Sequence, residues 1–154
     1  MTLNSTPEFR TLTGLYEPSA IQQLPDGRFL VLEDEKEHPF SLITIGSDGT
    51  VASTSLRPGP QESAEAFRKL NDLEGITLDR AGHVYAITSH SRDGDGEEKA
   101  SRERLLRFRI EGDRAVAPKV SNALKPALLA AHPVLAAAAE IRDVKAGGGL
   151  NIEA

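Results

Sequence analysis

The feature that most constrains this fold is a pattern written twice: a β-rich run, a glycine turn, and a second β-rich run. The stretches "AIQQLPDGRFLVLE" and "GITLDRAGHVYAITS" superpose when Ile21 is laid on Ile76. Leu24 then falls on Asp79, Gly27 on Gly82, Phe29 on Val84 and Val31 on Ala86. Each is followed by another pair of runs. "SLITIGSDGTVAST" turns at Ser47-Asp48-Gly49, and in "LLRFRIEGDRAVAP" Leu106, Phe108 and Ile110 alternate with Arg107 and Arg109. Alternation with period two marks a strand with one face turned inward, and Asp-Gly between two such runs marks a hairpin. The repeating unit is a four-stranded antiparallel sheet. A sheet of this size cannot bury both faces alone, so tandem copies must stack, as propeller blades do. The sequence predicts an all-β chain: one partial β-propeller domain over residues 1–154, with blade one at about 15–56 and blade two at about 72–120.

The remaining segments are shorter. "RPGPQESAEAFRKLN" links the two units, with Ser63 placed to cap a short helix running to Lys69. "SHSRDGDGEEKASRER" is a long polar loop, expected to be the most mobile part of the chain. After Val120 the period changes. Residues from about 123 to 145 predict a helical insertion, with Pro126 and Pro133 at first-turn positions where proline costs little. "LNIEA" then begins what looks like a third inner strand, a stub at 149–154. Two blades and a stub leave sheet faces uncovered. The expectation is a chain lacking C-terminal blades, or one that completes its ring with copies of itself or another chain.

Composition removes several function classes. With 39% hydrophobic and 27% charged residues the chain reads as globular. A formal net charge of −5 argues against nucleic acid and against anionic membrane surfaces. The absence of cysteine removes disulfides, thiolate metal sites and cysteine nucleophiles. No basic segment followed by an apolar one opens the chain, and this predicts a cytoplasmic location.

Three groups of residues bear on chemistry. Glu17 lies four residues before Ile21, Glu74 two before Ile76, and Glu153 follows Ile152. Even offsets put Glu17 and Glu74 on the isoleucine face of regular strands, where inner strands line a propeller's channel. Converging carboxylates raise one another's pKa and call for a cation, with Ca²⁺ or Mg²⁺ suited to oxygen ligands. The competing role is structural: each glutamate bonds amides of the neighbouring blade. The second group sits at strand ends on one rim, where Asp34, Glu35, Ser89 and His90 would bind a small molecule, with His90 or Asp34 as the catalytic candidates. Adjacent Ser89 and His90 point to opposite faces of a strand, and no Gly-x-Ser-x-Gly elbow exists, so a serine-hydrolase triad is not expected. The third group, Asp93, Asp95 and Glu97, alternates with glycine but lacks the EF-hand's glycine and terminal glutamate, which leaves a solvated loop.

The stretches "EPSAIQQLPDGRFLVLEDE", "DLEGITLDRAGHVYAITSHSRDGDGEEKASRERLLRFRIEG" and "GGLNIEA" resemble the bacterial domain of unknown function 3616 family, over about Tyr16 to Ala154. The resemblance covers the N-terminal part of that family's domain, in which the last motif would continue as Asn-Ile-Glu-Gly-Leu. It implies a propeller similar to the phytase-like esterase propellers. Two functions follow as expectations. One is a ligand-binding or structural module, with a structural cation. The other is a metal-dependent phosphoesterase or esterase in which Glu17, Glu74 and Glu153 hold the cation and His90 or Asp34 positions water.

Overall fold

A computed structural model describes residues 15–33, 38–60, 65–68, 70–143 and 147–153. Asp34, Glu35, the proposed helix cap Ser63 and the helix end at Lys69 lie outside the described residues. The chain is mostly β, in two sheets. The first is a meander of β1 (Pro18–Gln23), β2 (Phe29–Glu33), β3 (Phe40–Ile45) and β4 (Val51–Ser55), each antiparallel to the next. The linker contributes a two-residue strand, β5 (Arg57–Pro58), and a short helix, α1 (Glu65–Arg68). The second meander comprises β6 (Leu73–Leu78), β7 (His83–Thr88), β8 (Leu105–Glu111) and β9 (Arg114–Ser121). The second sheet therefore has five strands rather than the expected four, because β5 pairs parallel to β9 at its edge. Pro58 has no N–H to give a ladder, so an edge is where it can sit.

The expected turns form, and they share one design. Leu24 N donates to Arg28 O (2.8 Å) and Gly27 N to Leu24 O (3.0 Å); in the second sheet Asp79 N donates to His83 O (2.9 Å) and Gly82 N to Asp79 O (3.1 Å). The glycine takes a left-handed φ, +87° at Gly27 and +80° at Gly82, where a side chain would be strained. The same bonds recur around Gly49, and once more around Gly96 inside the long loop. Each turn is closed by an aspartate. Asp26 accepts from Arg28, Asp48 from Thr50, Asp79 from the amides of Ala81 and His83, and Asp93 from those of Asp95 and Glu97. These bonds favour the ionised carboxylate. They hold all four aspartates below the usual range, through Arg28 for Asp26, the Thr50 amide for Asp48, the His83 amide for Asp79 and the Glu97 amide for Asp93. A folded pKa below the unfolded one stabilises the turns fully above the unfolded value of about 3.9 and is lost as pH falls through the lower folded value. Carboxyl NMR titrations of Asp79 and Asp93 should therefore give midpoints below that of a free aspartate. Midpoints at or above it would show that the amide bonds do not persist in solution.

The core lies between the sheets. Leu30, Leu32, Phe40 and Leu42 of the first meet Val84, Ala86, Leu106 and Phe108 of the second, with Leu24, Leu56, Phe67 and Leu73 around them. Phe40, Phe67 and Phe108 stack edge to face with centroids 5.1–6.1 Å apart. The second sheet presents Val84 and Ala86 to the first. Their repeat counterparts Phe29 and Val31 alternate with Leu30 and Leu32, so they lie on the far face of the first sheet. A propeller-type repeat makes Phe29, Val31, Val84, Phe108 and Ile110 the expected core between the sheets; Val84 and Phe108 are there and Ile110 packs against the core, whereas Phe29 and Val31 are not. The front of one repeat thus rests on the back of the next. The inner strands β1 and β6 lie beside each other.

After β9 the helical insertion forms as α2 (Leu124–Ala131) and α3 (Pro133–Ala139), with Pro133 in the first turn of α3. Residues 150–153 form no strand, but Ile152 N donates to Ser89 O (2.8 Å), which places them beside the end of the second sheet.

Candidate functional site

Both sheets begin irregularly, and the irregularity decides where the acidic side chains go. In β6, Leu73 pairs with Thr88 and Gly75 with Ile87, so Glu74 is an extra residue, a β-bulge; Ser19 plays this part in β1. The residues ahead of the two strands, Glu17 and Asp72, both adopt left-handed φ, at +41° and +62°. Asp72, not Glu74, is the structural counterpart of Glu17. Even offsets put side chains on one face only in a regular strand, and the bulge at Glu74 breaks that parity.

Asp72 anchors a polar network. Its Oδ2 accepts Arg102 Nη1 (2.8 Å) and lies 3.4 Å from Ser91 Oγ. Arg102 also donates to Ser91 Oγ (3.1 Å) and to Arg92 O (3.3 Å). Ser91 and Ser89 share a hydroxyl bond of 2.9 Å, and Ser89 N donates to Asp72 O (2.8 Å). Beneath them Thr88 Oγ1 donates to Arg102 O (2.6 Å) and accepts from Arg104 N (2.9 Å). These bonds tie the β7–β8 loop to the start of β6. The segment expected to be the most mobile is held instead by the turn at Asp93, a 3-10 turn at Ala100–Arg102, and three buried residues, Ser89, His90 and Ser91.

The network floors a cleft of about 630 Å³ at this rim. Asp72, Glu74, Ser91 and Arg102 line it from the second sheet, Arg92 to Gly96 from the loop, and Arg142, Asp143, Asn151 and Glu153 from the segment after α3. Six carboxylates face three guanidiniums there, so the lining is net negative. Gly96 is needed at this contact: a Cβ there would lie 3.0 Å from Arg142 Cβ.

The structure brings together Glu74 and Glu153 of the predicted acidic set. Glu17 is exposed and not part of the cleft lining. Among the described residues, no group of three or more His, Asp or Glu side chains is gathered closely enough to hold a metal ion. Ser89 and His90, expected as binding residues, are buried at 0% and 1% exposure below the cleft, and Ser91 is the member of the trio that reaches it. His90 takes a left-handed φ of +55°; its Nδ1 lies 2.7 Å from Thr88 O and its Nε2 is buried with no hydrogen-bond partner among the described residues. Ser89 Oγ bonds Ser91 rather than this imidazole, so Ser89 and His90 do not form a relay. From sequence, Asp72 stands two residues before Glu74, Arg102 belongs to a basic run expected to pair with nearby acids, and Ser91 is no better placed than Ser89 as a nucleophile, so none of the three enters the candidate set. The signal available was the acid at Glu17 and Asp72 at one repeat position.

Neither a family model nor a curated protein matches the chain. Among solved structures, the holo form of the pyranose dehydrogenase PQQ domain from Coprinopsis cinerea aligns over 71% of this chain at 17% identity, with a TM-score of 0.45. The chain spans about a fifth of that structure, 22% of its length. Among the described residues, no helix is long and apolar enough to cross a membrane.

Proposed function

We propose that the chain is a section of a β-propeller, of the kind the domain of unknown function 3616 resemblance implies, and that its rim cleft binds a positively charged small ligand without covalent chemistry. The observation that carries the reading is the same-sense stacking of the two repeats. Two sheets folded into a sandwich normally turn equivalent faces toward each other. Here the second repeat lays its back on the front of the first, with inner strands adjacent, which is how blades follow one another round an axis. That stacking carries the start of β6 and the β7–β8 loop to one rim, where binding sites of such repeats gather.

The charge of the lining supports a cationic ligand: Asp72, Glu74, Asp93, Asp95, Asp143 and Glu153 outnumber the guanidiniums of Arg92, Arg102 and Arg142. Isothermal titration should show saturable heat with a cationic probe, either Ca²⁺ or an organic diamine, and Glu74→Gln should remove it. Saturation by Ca²⁺ alone would favour coordination by oxygen ligands. A flat titration with both probes, on folded protein, would overturn the cationic reading of the cleft.

A further inference from the structure

The helical insertion is built from weak parts. Helices α2 and α3 have 8 and 7 residues, below the length at which an isolated helix holds in water, and neither has a side-chain N-cap. They pack on each other. Their bonds to the β7–β8 loop are polar, and the buried side chains of the two helices are Lys125 and Ala139. Lys125, in the first turn of α2, is 5% exposed and reaches the carboxylates of Glu98 (3.2 Å) and Glu103 in the β7–β8 loop. Arg92 Nε donates to Ala139 O at the end of α3 (3.1 Å), and Arg142 pairs with Glu97 (3.3 Å). Leu150 N donates to Ala138 O (3.2 Å) on the way to the bond at Ser89.

A lysine in the first turn of a helix opposes the helix dipole, and a buried ammonium is costly unless paired. Lys125 bears both costs, and the Glu98 and Glu103 carboxylates of one loop offset them. The arginine contact at Glu97 is exposed on both sides and contributes little. Lys125 is sheltered and so is its partner Glu103, whereas Glu98 is exposed, so the Glu103 contact is the protected one.

We propose that Lys125 is the pin of a docked helical hairpin, which opens as a unit and draws the cleft residues Arg142, Asp143, Asn151 and Glu153 away with it. Local opening of this kind needs a segment with few apolar anchors and a small number of strong polar ones. Removing the ammonium breaks the contacts to Glu103 and Glu98, of which Glu98 keeps its longer contact with Arg92 (3.6 Å). The hairpin then loses its hold while the sheets keep theirs.

Native-state hydrogen exchange on the full chain tests this, whatever the cleft binds. In Lys125→Met, the amides of Ala127, Leu150 and Ile152 should exchange roughly 100-fold faster, while the β7–β8 ladder keeps its protection. Glu103→Gln, which leaves the lysine one carboxylate, should move the same amides by a smaller factor and serves if Lys125→Met fails to fold. Unchanged protection at those three amides, or equal loss across the sheets, would refute the pin.

Discussion

Phe108→Ala will lower unfolding stability by about 3–5 kcal/mol, the range for emptying a phenylalanine site that cannot collapse. Phe108 is 0% exposed, and its ring touches Phe40 at 5.1 Å and Phe67 at 5.5 Å, so the cavity would open where both sheets and the linker helix meet. For a fold of total stability about 5–15 kcal/mol this is a large share. Urea unfolding should show a lower midpoint with an unchanged slope. Ile21→Ala is the control. Ile21 is 58% exposed, and its loss should stay within about 0.5 kcal/mol. A Phe108→Ala effect as small as the control's would mean that the sheets do not meet through this ring.

Glu33→Ala is expected to cost about 2–4 kcal/mol, because it strands donors that are already desolvated. Glu33 is 0% exposed at the end of β2, on the face turned away from the second sheet. Its carboxylate accepts the Tyr16 amide (2.6 Å) and the Ser41 hydroxyl. The second repeat has Thr88 in this place, and its hydroxyl fastens the loop at Arg102 and Arg104. Glu33→Gln retains an acceptor and should cost less than Glu33→Ala in thermal unfolding. Equal losses would show that the charge, not the acceptor geometry, holds the strand.

The sheets were legible because their signals are local. Alternation in "LLRFRI" and glycine turns at Gly27, Gly49 and Gly82 need only neighbouring residues, and the repeat correctly laid Leu24 on Asp79. The core was legible in part. Alternation shows that Phe29 and Val84 share a face within their own sheets, but which face meets the other sheet is set by the sense of stacking, and that is not written in either strand. The site was the least legible. A bulge at Glu74 moves side chains without changing the pattern of apolar residues. The pairing of Asp72 with Arg102 joins positions 30 residues apart, through a loop whose composition reads as solvated. Lys125 reads as an ordinary helix residue until the loop it reaches is in place.

Front resting on back gives the pair a polarity. Its two ends are unlike: Val31, Ser41 and Ile43 are already buried at one, and the other shows half-buried Tyr85, Ile87 and Leu105 beside Arg107, Arg109 and Lys119. Two chains meeting front to front would press each basic row against its own image, so mirror-like pairing is opposed electrostatically. Anything that extends the stack must arrive with the opposite sign and the same handed orientation, which makes lengthening directional.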